Sequence, residues 1–468
     1  MIHKSISKHK HAPGSIGELL PIALPMMASS ACDTVMTFTN RFFLSKLGSA
    51  EMNAALAGGM MCFLMSTFFL GLIGYSTALI GQYYGSGQRR KCPVVVTQAI
   101  IIAIVAYPII LLLAPAARAS FRAFGIAEEQ LRPQTIYFNI LIYCTILSLS
   151  RSALSCFFSG TGRTRIVMIA SVVAMLTNVG INYVVVSGRF GIPGFGIRGA
   201  ACGIIAGDIL GLLVLVWAYF SHSDRAEYRI KESFVYSKEV MQKLLKLGYP
   251  AGLEFFLTLS AFTCLIMLFQ SLGQVAATAA TITFNWDMVA FVPLIGMEVA
   301  ITSLVGRYMG ARKPDTAHSV VMSGIKFGSI YSLIMVILFA AFPLALANIF
   351  RPDANDGVFS AALPLTLFMV RLMAFYVLGE AMIVAFVGAL RGAGDTFFAM
   401  LMSVTLHWLV VGCLFVMFRV MHLSARVGWV SVIVWFMLLG FAFYLRYRSG
   451  KWREMRVVDS PGVGELEL

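Results

Sequence analysis

GYSTALIGQYYG at residues 74–85 returns as EVAITSLVGRYMG at residues 298–310, and this recurrence decides the fold. At an offset of 225 residues, Thr77, Leu79, Gly81, Tyr83 and Gly85 fall on Thr302, Leu304, Gly306, Tyr308 and Gly310. In the same register Pro25 meets Pro250, and Ala54 and Ala55 meet Ala279 and Ala280. Farther along, with seven more residues inserted, FFSGTGRT (157–164) lies over ALRGAGDT (389–396), pairing Gly160 with Gly392, Gly162 with Gly394 and Thr164 with Thr396. A chain with 41 glycines produces some matches by chance. An ordered series at one offset, at corresponding helix ends, requires two related halves.

What separates these motifs is apolar. The chain has 468 residues, of which 59% are hydrophobic and only 12% charged. A soluble domain is about one-quarter charged, so there is too little polar surface for water. A spanning helix needs roughly 20 mainly apolar residues. Twelve stretches qualify, at about 16–44, 52–83, 93–117, 132–158, 164–187, 197–220, 244–270, 276–306, 316–347, 358–389, 396–418 and 427–447. They are continuous rather than alternating, which excludes transmembrane β-strands. The longest stretch without a strongly apolar run, 221–246, leaves no room for a separate soluble domain. Six spans per half is an even number, so both halves share one orientation. The fold class is therefore all-α integral membrane, with two six-helix bundles related by a parallel pseudo-two-fold repeat.

Charge orients the chain. Of 36 Lys and Arg, 23 lie in segments on the side of the N-terminus, 9 in the opposite loops, and four (Arg41, Arg151, Lys326, Arg371) in or at the ends of spans. The positive-inside rule places both termini in the cytoplasm. No dense basic stripe with interleaved aromatics occurs, so the basic excess belongs to loops and no nucleic acid partner is expected. The eight cysteines form no CxxC and no zinc spacing, and read as free, mostly buried thiols. The first apolar run is too long for a cleaved signal peptide and is expected to remain as a span.

No GxxxxGK[ST] occurs, so a fused ATP-driven motor is excluded. The GxGxxG at Gly194, Gly196 and Gly199 follows a span and falls in a loop, where a dinucleotide site has no strand to stand on. Gly199, Gly203, Gly207 and Gly211 form a ridge for close helix packing. His407, a histidine deep inside a span, reads as a packing residue. The informative groups are carboxylates, because an acid at the centre of a span costs ~2.5–3.5 kcal/mol on insertion scales and is retained where it works. Six qualify: Asp33 in the first span, Asp208 in the sixth, Glu254 in the seventh, Asp287 and Glu298 in the eighth, and Glu380 in the tenth. Asp33 shares a helix face with Asn40, and Glu254 with Thr258. Tyr376 precedes Glu380 by one turn and can help to hold a cation there.

The order of Leu24-Pro25, GQYYGSG, GTGRT followed by Asn178-x-x-x-Asn182, GYPAGL (248–253), VGRYMGA and LRGAGDT resembles the multidrug and toxic compound extrusion (MATE) transporters over about residues 15–450. The resemblance implies alternating access between two bundles. It also implies export of small amphipathic or cationic organic compounds by antiport with H⁺ or Na⁺. Glu380 stands where many members carry an aspartate, and Tyr376 matches a nearby tyrosine. Three positions depart from the family pattern: Asn40 and Asn182 replace acids, and Thr258 replaces a frequent glutamate. With both N-terminal acids neutral, Glu380, Glu254, Asp287 and Tyr376 are the expected cation-coupling residues. Asp33, Asn40, Asn178, Asn182, Asp208, Thr258 and Glu298 are the expected substrate-cavity residues.

The expected organisation is a tail (1–15), a bundle (16–220), a cytoplasmic linker (221–243), a second bundle (244–447) and a tail (448–468). Expected partners are the lipid bilayer and a small organic substrate. No cofactor or metal is called for beyond the coupling ion, and a monomer in a bacterial inner membrane is expected. The alternative is a flippase for a lipid-linked intermediate, which wants a basic cavity. An intramembrane enzyme finds no His/Asp or paired-acid motif at a membrane face, and a channel suits the two-half plan poorly.

Overall fold

The computed structural model describes residues 12–45, 49–123, 128–186, 188, 191, 193–221, 228–351 and 357–458. Most of the N-terminal tail, part of the linker and the end of the C-terminal tail lie outside them. Twelve spans result, eleven of them long apolar helices and one a pair bent by 45°. In order they are α1 (Ile16–Ser45), α2 (Ser49–Gly74, continuing as Ser76–Gly85), α3 (Lys91–Ala123), α4 (Glu128–Tyr143 and Thr145–Gly160), α5 (Thr164–Ile181) and α6 (Gly196–Tyr219). The second half repeats the plan with α7 (Lys238–Gln270), α8 (Gln274–Gly310), α9 (Pro314–Ala341), α10 (Gly357–Ala393), α11 (Thr396–Phe415) and α12 (Ala425–Arg448). An even number of spans returns both termini to one face, called the terminal face below.

These helices are apolar on all sides, as spans must be when every backbone group has to be bonded inside the segment. The sequence reading missed where they break. At the α4 bend, the Thr145 hydroxyl donates to the Leu141 carbonyl (3.2 Å), and Cys144 N–H bonds the same carbonyl at 3.0 Å. The side chain competes for the backbone acceptor and the helix turns. α5 and α11 each end in a π-helical turn, at Asn182–Val186 and Val416–Val420. Pro25 has no N–H for the Pro21 carbonyl, and Thr164 Oγ1 donates to it instead at 3.4 Å.

The two halves meet where the repeat motif lies. A Cβ on Gly81 would strike the Ser303 carbonyl, and one on Gly306 the Ala78 carbonyl, each at 2.8 Å. Gly85 and Gly310 press in the same way on the backbones of Arg307 and Gln82. At the offset of 225, Ala78 is the mate of Ser303 and Gln82 of Arg307, so α2 crosses α8 on the pseudo-two-fold axis. Contacts between α1 and α8 and between α2 and α7 flank this crossing as another symmetric pair. The glycine ridge on α6 seats α5: Cβ atoms on Gly199, Gly203, Gly207 and Gly211 would meet Val185, Asn182, Ala174 and Ala170.

Toward the terminal face one core joins the halves, with Leu19, Ile22 and Ala23 of α1 packed among Leu294, Met297 and Ile301 of α8. In the far half the cores separate. One contains Leu44, Ala54, Tyr137 and Ile197 from the first half only, the other Phe269, Phe284, Met369 and Trp429 from the second only. All eight cysteines are free, four buried, three half-buried and Cys202 exposed.

Candidate functional site

Intramembrane polar groups gather into four clusters, built by side chains from helices far apart in sequence. The first joins α1, α4 and α6. Arg151 lies 3.2 Å from Asp208 and 3.5 Å from Asp33, and Ser148 donates to Asp208 at 2.5 Å. The Asp33 side chain is 50% exposed. Arg151 was visible in the sequence as a charge inside a span, but nothing there named its partners.

The second cluster is amide-only. Asn182 Nδ2 donates to Asn40 Oδ1, and to Asn178 Oδ1 at 3.1 Å. All three are buried. Asn178 Nδ2 and Asn182 Oδ1 find no hydrogen-bond partner among the described residues. Gly203 makes the room, since a Cβ there would lie 2.6 Å from Asn182 Oδ1. The π-helical turn begins at Asn182 itself, and such turns recur at functional positions. Asn40 thus turns to α5 and shares no hydrogen bond with Asp33, its companion on the α1 face.

The third cluster lies low in the second half. Arg391 bridges Glu254 at 3.0 Å and Glu298 at shorter range, tying α7, α8 and α10 together. Sequence reading placed Arg391 in a loop; the extension of α10 to Ala393 brings it into the helix. Thr258 Oγ1 meets Ser403 Oγ at 3.5 Å on α11, one turn from Glu254. His407 Nδ1 donates to the Ser403 carbonyl at 2.7 Å.

In the fourth cluster no Lys or Arg among the described residues pairs with the acids. Tyr376 Oη donates to Asp287 Oδ1, and Glu380 lies one turn along α10 from Tyr376. Both carboxylates are buried, and neither has a Lys or Arg partner among the described residues. Glu380 Oε2 has no hydrogen-bond partner there. Beside Asp287 and Tyr376 is a cavity of ≈ 30 Å³ walled by Phe284, His407, Trp429 and Phe436, room for about one water-sized species. No group of three or more His, Cys, Asp or Glu with metal-binding geometry occurs among the described residues.

Twelve spans in two parallel bundles, with acids buried between helices, define a membrane transporter rather than an enzyme. The chain belongs to the MatE family, whose sequence profile matches residues 25–184 and 250–415. It is 24% identical to a probable multidrug resistance protein NorM of Thermotoga maritima, over 99% of both chains. It is likewise 24% identical to the multidrug resistance protein PmpM of Pseudomonas aeruginosa, over 86% of this chain and 84% of that one. Among solved structures, a MOP superfamily transporter of Pyrococcus furiosus superposes with a TM-score of 0.85 at 18% identity, covering 94% of this chain and 97% of its own. A multidrug resistance MATE family transporter in an outward-facing conformation gives 0.84 at 17% identity, with 94% and 97% covered.

Proposed function

We propose that this protein is a secondary exporter of small amphipathic or cationic organic compounds, driven by inward movement of H⁺ or Na⁺ through the second half. The unbalanced Asp287–Glu380 pair is the observation that carries this reading. Asp33 and Asp208 share Arg151, and Glu254 and Glu298 share Arg391. Each trio thus carries one net negative charge when ionised. Asp287 and Glu380 would carry two, in a buried site with no basic partner among the described residues. Two acids in such a place need a proton or a monovalent cation between them. A site whose occupancy changes the local charge so much is suited to coupling. Asn40, Asn178 and Asn182 bond one another and cannot titrate.

The halves join toward the terminal face, and their far cores are separate. We read this as a cleft open opposite the termini, with Asp33 on its wall. Positive-inside sidedness makes the terminal face cytoplasmic, so the arrangement is outward-facing in a bacterial inner membrane. The relatives' description as multidrug resistance proteins supports an organic substrate of broad type. A flippase for a lipid-linked phosphate needs free basic groups along its path, whereas Arg151 and Arg391 are each held by two carboxylates.

Reconstituted protein in liposomes tests the proposal. Under an imposed pH gradient or a Na⁺ gradient, one of the two should drive efflux of a fluorescent organic cation. Neutralising Asp287 and Glu380 together should abolish that efflux, while Asp33→Asn with Asp208→Asn should leave the coupling in place. The reverse pattern would move the coupling site to the first half, and no efflux under either gradient would remove the antiport reading.

A further inference from the structure

On the outer surface of the second half, α9 and α12 both pack on α10 and leave a groove of ≈ 760 Å³ between them, which shares Phe436 with the cavity beside Asp287. Its lining includes Met322 and Ile325 of α9, Met382 of α10, and Met437 and Phe441 of α12. A Cβ on Gly440 would meet only Ile383 among the described residues, in ordinary contact at 3.4 Å, so the α12 wall carries no side chain of its own at that level. Phe441 is 57% and Met437 41% exposed. In a membrane protein such an outward apolar surface faces acyl chains.

The terminal end of the groove is closed and basic. His318 of α9 bonds Tyr447 of α12 (Nδ1 to Oη, 2.7 Å), and the Tyr447 ring stacks on Trp452 at 5.1 Å. Tyr444, Tyr447 and Trp452 place the membrane–water boundary here, since such rings collect at headgroup level. Arg448 and Arg453 line the same mouth. Arg448 is exposed and has no ion-pair partner among the described residues. Arg453 lies 3.2 Å from Asp315, whose side chain is 91% exposed, a surface pair that holds its arginine weakly. Lys451 and Arg456 add positive charge, and Glu454 is the one acid in that segment.

We propose that this groove is a binding site for an anionic phospholipid of the leaflet at the terminal face, with an acyl chain between α9 and α12 and the phosphate at Arg448 and Arg453. Charge complementarity selects the occupant: an apolar slot alone accepts any acyl chain, and a basic pocket between spans at headgroup depth favours anionic lipid. The proposal is independent of the transport reading.

The test uses the full-length protein in detergent, titrated with phosphatidylglycerol or with phosphatidylcholine of identical chains. Retained lipid is counted by native mass spectrometry, and thermal stability is followed in parallel. The expected result is about tenfold tighter retention of phosphatidylglycerol, about a kcal/mol per arginine near the surface being available. R448Q/R453Q should bring that preference close to one, and R165Q/K231Q, basic residues elsewhere on the terminal face, should keep it. G440F, which fills the slot, should weaken retention of both lipids. Should R448Q/R453Q not fold, rising salt on the wild type must erode the preference instead. Equal retention of the two lipids, a preference that survives R448Q/R453Q or high salt, or equal stabilisation by inorganic phosphate would overturn the proposal.

Discussion

Glu380 and Asp287 are the residues on which the coupling proposal stands. Glu380→Gln keeps the volume and hydrogen-bonding reach of the side chain and removes its titration. Gradient-driven efflux is expected to fall to background while expression, detergent extraction and thermal stability stay near wild type. Wild-type efflux by this variant would mean that the buried carboxylate is structural. Arg391 makes the opposite kind of prediction. It holds two carboxylates, Glu254 with 6% and Glu298 with 15% of the side chain exposed. Removing one partner from a buried pair costs about 3 kcal/mol or more, because charge is left unbalanced. Arg391→Met should therefore lower the thermal unfolding midpoint, and E254Q/E298Q in the same chain should restore part of the loss. A triple variant no more stable than Arg391→Met would argue that the bridge does little. One arginine thus separates a bridged pair of acids from the pair proposed for coupling.

At the scale of elements, the crossing of α2 and α8 is a seam across which each half donates side-chain hydrogen bonds to carbonyls of the other. Gln82 Nε2 donates to the Gly392 carbonyl at 2.8 Å, and its mate Arg307 donates to the Thr161 carbonyl at 3.0 Å. Ser303 Oγ donates to the Ser159 carbonyl at 2.6 Å, and Tyr308 Oη reaches Glu18 of α1 at 2.7 Å. Helix backbones this close leave no space for a β-carbon. Gly85→Ala and Gly310→Ala should each disfavour the joined seam, to a similar degree because the two positions are symmetry mates. Spin labels on Arg165 and Lys313, one in each half of a chain cleared of native cysteines, should report a longer distance in both variants. An unchanged distance distribution would show that the seam absorbs a methyl group. A large shift in one variant alone would argue against the symmetry.

For the whole molecule, sidedness is the property that charge predicts. A fold of even span number puts both termini on one face, and the 23-to-9 charge asymmetry makes the cytoplasm its expected side. A reporter fused after Leu468 that is active only in the cytoplasm should be active; one active only outside should be silent. The opposite result would invert the molecule and turn the outward-facing reading into an inward-facing one. Charge also bears on the substrate. When ionised, the four clusters sum to net negative, but Arg151 and Arg391 cancel part of what a list of six acids suggests. Organic cations are expected to compete with one another for transport while organic anions fail to displace them, and displacement by anions would count against the export reading.

The sequence alone determined the span count, the class of fold, the parallel repeat and the set of intramembrane acids. Each of these is written locally: a run of apolar residues long enough to cross, a motif repeated at one offset, an acid inside a run. Gly81, Gly85, Gly306 and Gly310 were legible as repeat markers, yet their role as the seam required seeing α2 laid across α8. The helix breaks at Cys144 and Asn182 were not legible, because the apolar pattern runs through both without interruption. Nor was the partnership of the charges. Arg151 lies 118 residues from Asp33 and 57 from Asp208 along the chain, and only packing brings α1, α4 and α6 to one point. An acid in a span announces itself by what it costs to insert. Whether that cost is offset by an arginine depends on which other helix faces it, and in this protein tertiary structure alone decided that.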